Sequence, residues 1–558
     1  MTSKYRVAIS DREYNSWKFL HKETGEPKTP TESETLINPA ILKLFHGDLV
    51  DLSTPIPVII ESPTKTDRIA GILILEGGQT YGRTSNQKRL LYKCLPNNPK
   101  LPAFLVPYQP DVNFSKTQKN RYVVFRFDNW SKKHPQGILA ENLGEVDNFA
   151  AFCEYQLYCR DIHNNLSEFT QSAKRAITSL PDPKETNTRF FVKTASHSAF
   201  TIDPRGTTDF DDAFSVHRFS PRKATVRVYI SNVYVWMETM NLWKYVNRVS
   251  TIYLPEQKRP MLPAVLSDSI CSLVADGKER VAFCMELQID LEQACVVPSS
   301  IRFYNQSIKI AKNYVYESAD LCASPDYQLL HRCSKILDPE VDDSHDVVAF
   351  WMIQMNQICG DLMQTKRTGI FREVASLDPE PDPPVHLPFS TKRLVNNWKN
   401  VSASYCLATT KHNPYVHITS PIRRIVDLLN QTIFQLEFGM ITSISDEAKE
   451  FIGKWLNQIG RINKDAKSVR KAQIDCDMLY RCTAHPEWMQ QSHRGVIFDR
   501  VEKTDGNYSY MVHLSDLNIL SRITTQEKYV NYEMLEFRIF VFEDADKIHR
   551  KIRLGVSH

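Results

Sequence analysis

No Cys-x-x-Cys pair occurs among the twelve cysteines, which are scattered from Cys94 to Cys482. That absence excludes a zinc ribbon and a thioredoxin-type redox motif. Thiols so dispersed fit a reducing compartment, the cytoplasm or the nucleus. The first residues, MTSKYRVAISDREY, hold no apolar h-region, and no uncharged apolar run is long enough to span a bilayer, which argues against secretion and membrane insertion. Strong charge of one sign is missing too: 69 Lys and Arg against 65 Asp and Glu leave +4. Contact with nucleic acid must then come from local patches rather than from the overall field.

What the chain does hold is the length and balance of an ordinary folded protein, 558 residues with 42% hydrophobic and 24% charged, enough for three or four domains with cores of their own. Residues 1–41 are polar and include KETGEPKTPTESET, which reads as a loop or arm. From Leu42 short apolar runs, DLVDL, PVIIE and AGILILE, alternate with turn residues, the pattern of a small OB or cold-shock barrel over 42–100. A second such barrel with a linker is expected over 101–188. Within YVVFRFDNW, Val123, Phe125 and Phe127 fall on one strand face and Tyr122, Val124 and Arg126 on the other. Lys116, Lys119, Arg121, Lys132 and Lys133 surround it. A basic rim beside aromatics is how OB folds grip single strands, but such aromatics also fill barrel cores and scattered lysines are commonly only solvated.

TSLPDPKETNT marks the boundary of a mixed α/β region, 189–484. His345 to Met363 is apolar on most sides and predicts a buried helix. Apolar residues at 448, 452, 455, 459, 462, 466 and 469 predict one long amphipathic helix whose stripe is core. The last part, 485–558, returns to short strands, with Lys547, His549, Arg550 and Lys551 as candidates for phosphate contact.

The chemistry concentrates in TIDPRGTTDFDDAFSV, where Asp203, Asp209, Asp211 and Asp212 fall within ten positions. Carboxylates this close raise one another's pKa unless cations hold them ionised. Mg2+ does so with oxygen ligands, and two such ions roughly 3.5–4 Å apart activate a water and stabilise the leaving oxygen of a phosphodiester. Ile202 reads as a strand end, Pro204 to Thr208 as a turn and Phe210 to Val216 as a returning extended segment, so the loop brings the four together. A solvated acidic surface loop has the same composition. An EF-hand is excluded, because counting from Asp209 puts Phe214 and Ser220 at its glycine and glutamate positions.

Ser420-Pro421-Ile422-Arg423-Arg424 is the second element. Ser-Pro predicts a helix start with Ser420 as N-cap, where free N–H groups and a guanidinium favour phosphate. Arg423 stands four residues before Asp427 and could pair with it instead. Successive helical side chains point about 100° apart, so the two arginines need not face one ligand.

The run IDPRGTTDFDDAF resembles the signature of the ribonuclease II / ribonuclease R (RNB) family, I-D-P followed by D-x-D-D-A. YISNV from Tyr229, YLPEQKRPMLP from Tyr253, Leu266, Ser267 and Cys271 to Leu273, and TSPIRR after Tyr415 and His417 follow in the family's order. NPAILKLFHGDLVDL and Tyr122 to Val146 are similar to its eukaryotic branch, which includes the catalytic subunit of the RNA exosome. The endonuclease domain and cysteine cluster found N-terminal in that subunit have no counterpart here, so exosome tethering is not expected. The chain departs from the family at Asn232 for aspartate, at Arg372-Glu373-Val374 for R-x-H, at Ile425 for tyrosine and at Asn430-Gln431 for H-R.

The resemblance implies an α+β multidomain fold: a mixed α/β RNB catalytic domain flanked by N-terminal cold-shock/OB barrels and a C-terminal OB barrel. It implies a monomeric 3′→5′ exoribonuclease that hydrolyses single-stranded RNA processively to nucleoside 5′-monophosphates with two Mg2+ ions, Mn2+ being the substitute. Asp203, Asp209, Asp211 and Asp212 would hold the metals, and Asp211 and Asp212 would also serve the chemistry. Arg423, with Arg424 alongside, would offset charge at the scissile phosphate, and Ser420 would touch RNA. Tyr253 and Phe371 would clamp bases near the 3′ end. A catalytically silent RNA-binding protein of the same architecture is the alternative.

Overall fold

The computed structural model describes residues 4–28, 38–54, 56–84, 88–109, 118–180, 188–190, 192–373, 384, 403–407, 414–503, 505–543 and 550–557. Lys116, Lys547, His549, Val374, positions 29–37 of the polar N-terminal stretch and positions 181–187 of the linker lie outside the described residues, as do the side chains of Arg550 and Lys551. The chain divides into two compact units, one of Met1–His163, Ile474–Gln491 and Arg538–Gly555, the other of Asn164–Gln473, Ser492–Phe537 and Val556–His558.

In the first unit two strands lie within the span of the expected arm. Strands β1 (Lys4–Ile9), β2 (Trp17–His21), β3 (Leu49–Asp51) and β4 (Val58–Glu61) form a sheet in the order β2-β1-β3-β4. Val7, Ile9 and Phe19 alternate inward onto Val50 and Leu44, a period-2 signal that the polar run after His21 obscured. Strands β5 (Arg68–Leu73), β6 (Leu90–Pro96), β7 (Phe104–Tyr108), β8 (Arg121–Asn129) and β9 (Gln136–Glu145) close into a barrel in the order β5-β6-β7-β9-β8. The expected divide at 100/101 falls inside this barrel, between β6 and β7. Val123 and Phe125 fill its core while Tyr122 stacks on Tyr155 of the helix Phe149–Cys159, so both faces of β8 are buried. Gly137 allows this packing, since a Cβ there would sit 2.6 Å from the Phe125 ring. Of the expected basic rim, Lys119 is held by Asp147 and Arg121 by Glu145.

In the second unit β10 (Lys193–Asp203), β11 (Asp212–Arg218), β12 (Lys223–Ser231), β13 (Glu279–Asp290), β14 (Cys295–Val296) and β15 (Arg302–Val315) form a sheet in the order β12-β11-β10-β15-β13-β14, and β12 also pairs with β13, closing it on itself. Only β10 and β15 run parallel within it. Its outer face, with Val226, Val228 and Ile230 on β12 and Phe283, Met285 and Leu287 on β13, packs in one core with residues of the helices Pro325–Leu337, Ser344–Thr365 and Ile425–Glu437. The alternate positions belong to a second cluster, where Ala199, Ala213, Ala282 and Cys284 are small enough for the closed interior. The helix Ser344–Thr365 buries Val347, Trp351, Met355, Cys359 and Met363 and leaves Ile353 exposed, so one face is covered rather than all sides. The single long helix expected from 448 is two, Asp446–Leu456 and Ile459–Ala484, broken at Asn457 and Gln458. Asn is among the weaker helix formers, and the stripe continues across the break through buried Ala448, Trp455, Ile462 and Val469. β18 (Ser492–Glu502), β19 (Tyr508–Leu514) and β20 (Ile519–Thr525) make an antiparallel meander. No helix among the described residues is long and apolar enough to cross a membrane.

Candidate active site

The last residue of β10 is Asp203 and the first of β11 is Asp212, and the two strands pair antiparallel through Phe200 and Phe214. The chain between them turns through Gly206 at φ 88°, a left-handed conformation suited to glycine. It is then pinned from the segment that follows Cys271. Ser272 Oγ accepts the Phe210 N–H at 3.0 Å and donates to the Thr208 carbonyl at 2.8 Å, and the Leu273 N–H donates to the Phe210 carbonyl. Asp211 and Asp212 are consequently only 3% and 8% exposed. A solvated acidic loop does not look like this.

Burial, opposed only in part by Arg423, sets the electrostatics. Asp203 Oδ2 and Asp212 Oδ2 are both buried with no donor in reach. Burial pushes the Asp203 carboxyl up to about 6, with the Thr201 hydrogen bond and Arg423 opposing. Burial and then the Asp203 and Asp211 charges hold the Asp212 carboxyl well above the usual range. The other two aspartates are answered by the chain itself. Asp209 accepts from Lys258 Nζ at 2.8 Å and from the Tyr253 hydroxyl at 3.1 Å, and Lys258 also bridges to Asp268 at 3.0 Å. Asp211 accepts the Ile422 N–H through one oxygen and Arg423 Nε through the other, both at 2.9 Å, although burial still pushes it up to about 7. Among the described residues no group of three or more His, Cys, Asp or Glu is placed to hold a metal ion. Two of the four carboxylates are ion-paired, and the other two each keep a buried oxygen bare of any donor. The bare pair fits a hard divalent cation, which takes one or two carboxylates and completes its shell with water and substrate phosphate.

The helix after TSPIRR begins at Ile425, not at Pro421, and its N-cap is Arg424. Ser420 to Arg424 is a turn held by three side chains. Asp427 Oδ1 accepts the Ser420 N–H at 2.8 Å, Asp211 takes the Ile422 N–H, and Ser420 Oγ accepts Arg423 Nη2 at 2.9 Å. The turn is also tied to the segment before Tyr253, with the Thr251 N–H on the Arg423 carbonyl and the Ile425 N–H on the Val249 carbonyl. Asp427 pairs with Arg424 at 2.9 Å, which leaves Arg423 to Asp211. Arg423 keeps a side chain 41% exposed while two of its nitrogens are fixed.

The two expected aromatics part company. Tyr253 is 44% exposed beside Asp209. Phe371, the first residue of β16 (Phe371–Glu373), is 2% exposed in the core under the sheet, so it offers no face to a base. Three of the positions that depart from the family, Asn232, Asn430 and Gln431, are buried scaffold. Asn232 bonds Asn305 and Gln435, Asn430 bonds Ile370 and the His417 carbonyl, and Gln431 bonds the Ser231 carbonyl. Lys258, Tyr316 and Asp427 were not legible as site residues. Lys258 sits within a recognisable stretch, YLPEQKRPMLP, but nothing in that stretch tells which carboxylate it meets. Tyr316 reaches the site because its N–H donates to the Asp203 carbonyl.

The closed mixed sheet thus carries buried aspartates at its strand ends, with an arginine clamped to one of them, groups of the kind that suit a phosphate and a hard cation. Residues 192–336 match the family model for the RNB domain, and the chain resembles the ribonuclease II / ribonuclease R exoribonucleases. The chain is 24% identical over 316 residues to the exosome complex exonuclease RRP44 of Homo sapiens, a match that takes in 48% of this chain and 32% of that protein. It thus spans about a third of that relative's length. RNase R of Mycoplasma genitalium, solved with ribose-methylated single-stranded RNA, superposes with a TM-score of 0.67 at 15% identity over 99% of this chain and 100% of that one. Yeast Ssd1, described as a pseudonuclease, superposes with a TM-score of 0.56 at 12% identity over 94% and 79%. These likenesses show an α+β fold with a mixed α/β domain and OB-like barrels.

Proposed function

We propose that this chain is a divalent-metal-dependent 3′→5′ exoribonuclease that takes single-stranded RNA processively to nucleoside 5′-monophosphates. The observation that carries the proposal is the pair of buried, donorless oxygens on Asp203 and Asp212 beside the Asp211–Arg423 clamp. Asp203 and Asp212 would hold Mg2+, or Mn2+ in its place, which when bound supplies Lewis-acid stabilisation and an acidified water. For the two-ion arrangement that the four aspartates suggest, a second cation at Asp209 would have to take the place of the Lys258 ammonium. Asp211 fixes the plane of the Arg423 guanidinium, whose exposed part then meets negative charge that grows on a phosphate oxygen in the transition state. The exposed ring of Tyr253 offers a stacking surface for a base, with its hydroxyl tied to Asp209. The polarity, product and strand preference rest on the RNB resemblance, and binding as a monomer without an exosome scaffold belongs to the same proposal.

One assay tests it. Purified protein is incubated with 5′-labelled single-stranded RNA, the matching DNA and an RNA duplex, each with Mg2+ and with chelator. A ladder that shortens from the 3′ end of single-stranded RNA, and only with metal, is the expected result; intact RNA would sink it.

A silent RNA-binding protein is the second reading, and one observation favours it. Lys258 and Arg423 already neutralise two of the four carboxylates. RNA retained in a complex without shortening, in Mg2+ and in Mn2+, is what that reading expects.

A further inference from the structure

The helix Ile459–Ala484 has a polar face that the apolar stripe leaves to solvent. Over Ile459–Gln473 the sequence IGRINKDAKSVRKAQ sets five cations against one acid, and that acid, Asp465, is held by Arg461 at 3.4 Å. Lys464, Lys467 and Lys471 are all exposed. Steps of three and four put them on one side of the helix. A rise of 1.5 Å per residue spreads them over about 10 Å. One strand of a stacked nucleic acid carries a phosphate for roughly every 3.4 Å of its axis, so a row of that length faces about three phosphates. Ammonium groups on flexible stems act as movable point charges, which suits a backbone contact that reads no base.

The row is continuous with the aspartate site. Lys467 lines a cavity of about 250 Å³ that is also lined by Tyr253 and Arg423. Two contacts fix the helix beside that cavity. Gln473 Oε1 accepts the Tyr253 N–H at 3.4 Å, and Asn463 exchanges hydrogen bonds of 2.8 and 2.9 Å with the backbone of Tyr405 in β17 (Ser404–Cys406). Lys467 therefore belongs both to the cavity wall and to the exposed row. In a chain whose net charge is only +4, a local excess of this kind is what contact with a polyanion requires.

We propose that Lys464, Lys467 and Lys471 form a phosphate track that holds the backbone of single-stranded RNA beside the site, whatever its sequence. The inference rests on the exoribonuclease reading for the nature of the strand, but its test does not need turnover. Continuity of the row with Tyr253 and Arg423 through Lys467 favours RNA over an acidic protein segment as the occupant.

Equilibrium binding is measured by fluorescence anisotropy in chelator, on full-length protein, with single-stranded RNA of two unrelated sequences at salt from about 50 to 200 mM. Each phosphate contact on a single strand contributes about 0.7 to the slope of log affinity against log salt. Replacing all three lysines by alanine should therefore lower that slope by about 2 and weaken binding about tenfold at the lowest salt, equally for both sequences. Lys464→Ala and Lys471→Ala should each lower it by about 0.7, and replacing all three by arginine should keep it. A control variant with Arg222, Lys335 and Lys449 replaced by alanine loses the same net charge at exposed, ion-paired positions and should keep the slope too. Thermal melts identify any variant that fails to fold, and the single substitutions then carry the test. An unchanged slope in the lysine variants would return the row to solvent or to an acidic partner, overturning the inference and leaving the nuclease proposal untouched. A slope lowered as much by the control, or a loss confined to one sequence, would overturn it as well. A lowered slope in protein that degrades no RNA in Mg2+ would uphold the track and sink the nuclease proposal.

Discussion

Asp211 and Arg423, 212 positions apart, meet through Oδ2 and Nε at 2.9 Å, and the same carboxylate takes the Ile422 N–H through its other oxygen. The contact ties the aspartate loop to the turn that starts at Ser420, and it makes Asp211 a positioning group for the Arg423 guanidinium. Asp211→Asn keeps the shape but removes the charge that orients the guanidinium. Arg423→Lys keeps the charge but loses the planar fork. Each substitution should lower kcat by about 10²–10³, the usual cost of one transition-state donor, with KM changed much less. Asp212→Asn should also abolish cleavage while RNA affinity stays within about twofold. Single-turnover rates with anisotropy titrations check all three, and a kcat near wild type in any variant removes that residue from its role.

The bare carboxyl pair makes stability depend on pH and metal. The Asp203 carboxyl is pushed up to about 6 and that of Asp212 well above its ordinary range, both mainly by burial. A raised carboxyl favours the folded state most below its ordinary value near 4, and that contribution is lost as pH climbs through 6 and beyond. Metal-free protein should therefore lose several degrees of melting temperature between pH 5 and pH 8 from this pair. Asp212→Asn should flatten that part of the slope. Mg2+ should raise the melting temperature at pH 8 and leave it almost unchanged at pH 5, where protons compete for the same oxygens. A melting temperature equally indifferent to Mg2+ at both pH values would show that the pair holds no cation.

Much of the site was legible in the chain because its residues are close in sequence. Asp203 to Asp212 is a single loop, and the strand, turn, strand reading of Ile202 to Val216 matches β10 and β11. What failed was anything decided by partners far along the chain. Ser-Pro is a good local helix start, yet the turn is fixed by Asp211 on the Ile422 N–H and by Val249 on the Ile425 N–H, and the helix begins at Ile425. Spacings of three and four are both helical neighbours, so pattern alone did not say whether Asp427 would take Arg423 or Arg424. Phe371 was misplaced for a similar reason. An aromatic beside Arg372 looks available in sequence, but β16 turns its ring into the core. Short strands were readable as barrels, while the point where one sheet ends and the next begins depends on closure of β5 with β8, a pairing between distant strands.

Tyr253 and Phe371 accordingly give opposite outcomes. Base stacking on an exposed ring is worth about 1–3 kcal/mol, so Tyr253→Ala should change the length of the limit fragment seen on a sequencing gel. An unchanged fragment returns that tyrosine to packing. Phe371→Ala should leave the fragment length alone and instead cost about 3–5 kcal/mol of stability, the range for emptying a buried phenylalanine site, measured by denaturant unfolding.

Lys258 decides between the one-cation and two-cation forms of the site. Its ammonium lies 2.8 Å from Asp209 and 3.0 Å from Asp268, so it sits where a second divalent ion would have to approach. Lys258→Met preserves the length of the stem and removes the charge, leaving Asp209 with the Tyr253 hydroxyl alone. If the ammonium holds off a second ion, the variant should bind one more equivalent of Mn2+ than wild type by calorimetry, and the Mg2+ needed for half-maximal RNA cleavage should fall about tenfold. If two ions already bind in the wild-type protein, the lysine must swing aside, and the variant should show the same stoichiometry with tighter binding. Weaker metal binding in the variant would contradict both, because it would mean that the ammonium supports the carboxylates rather than competing for them.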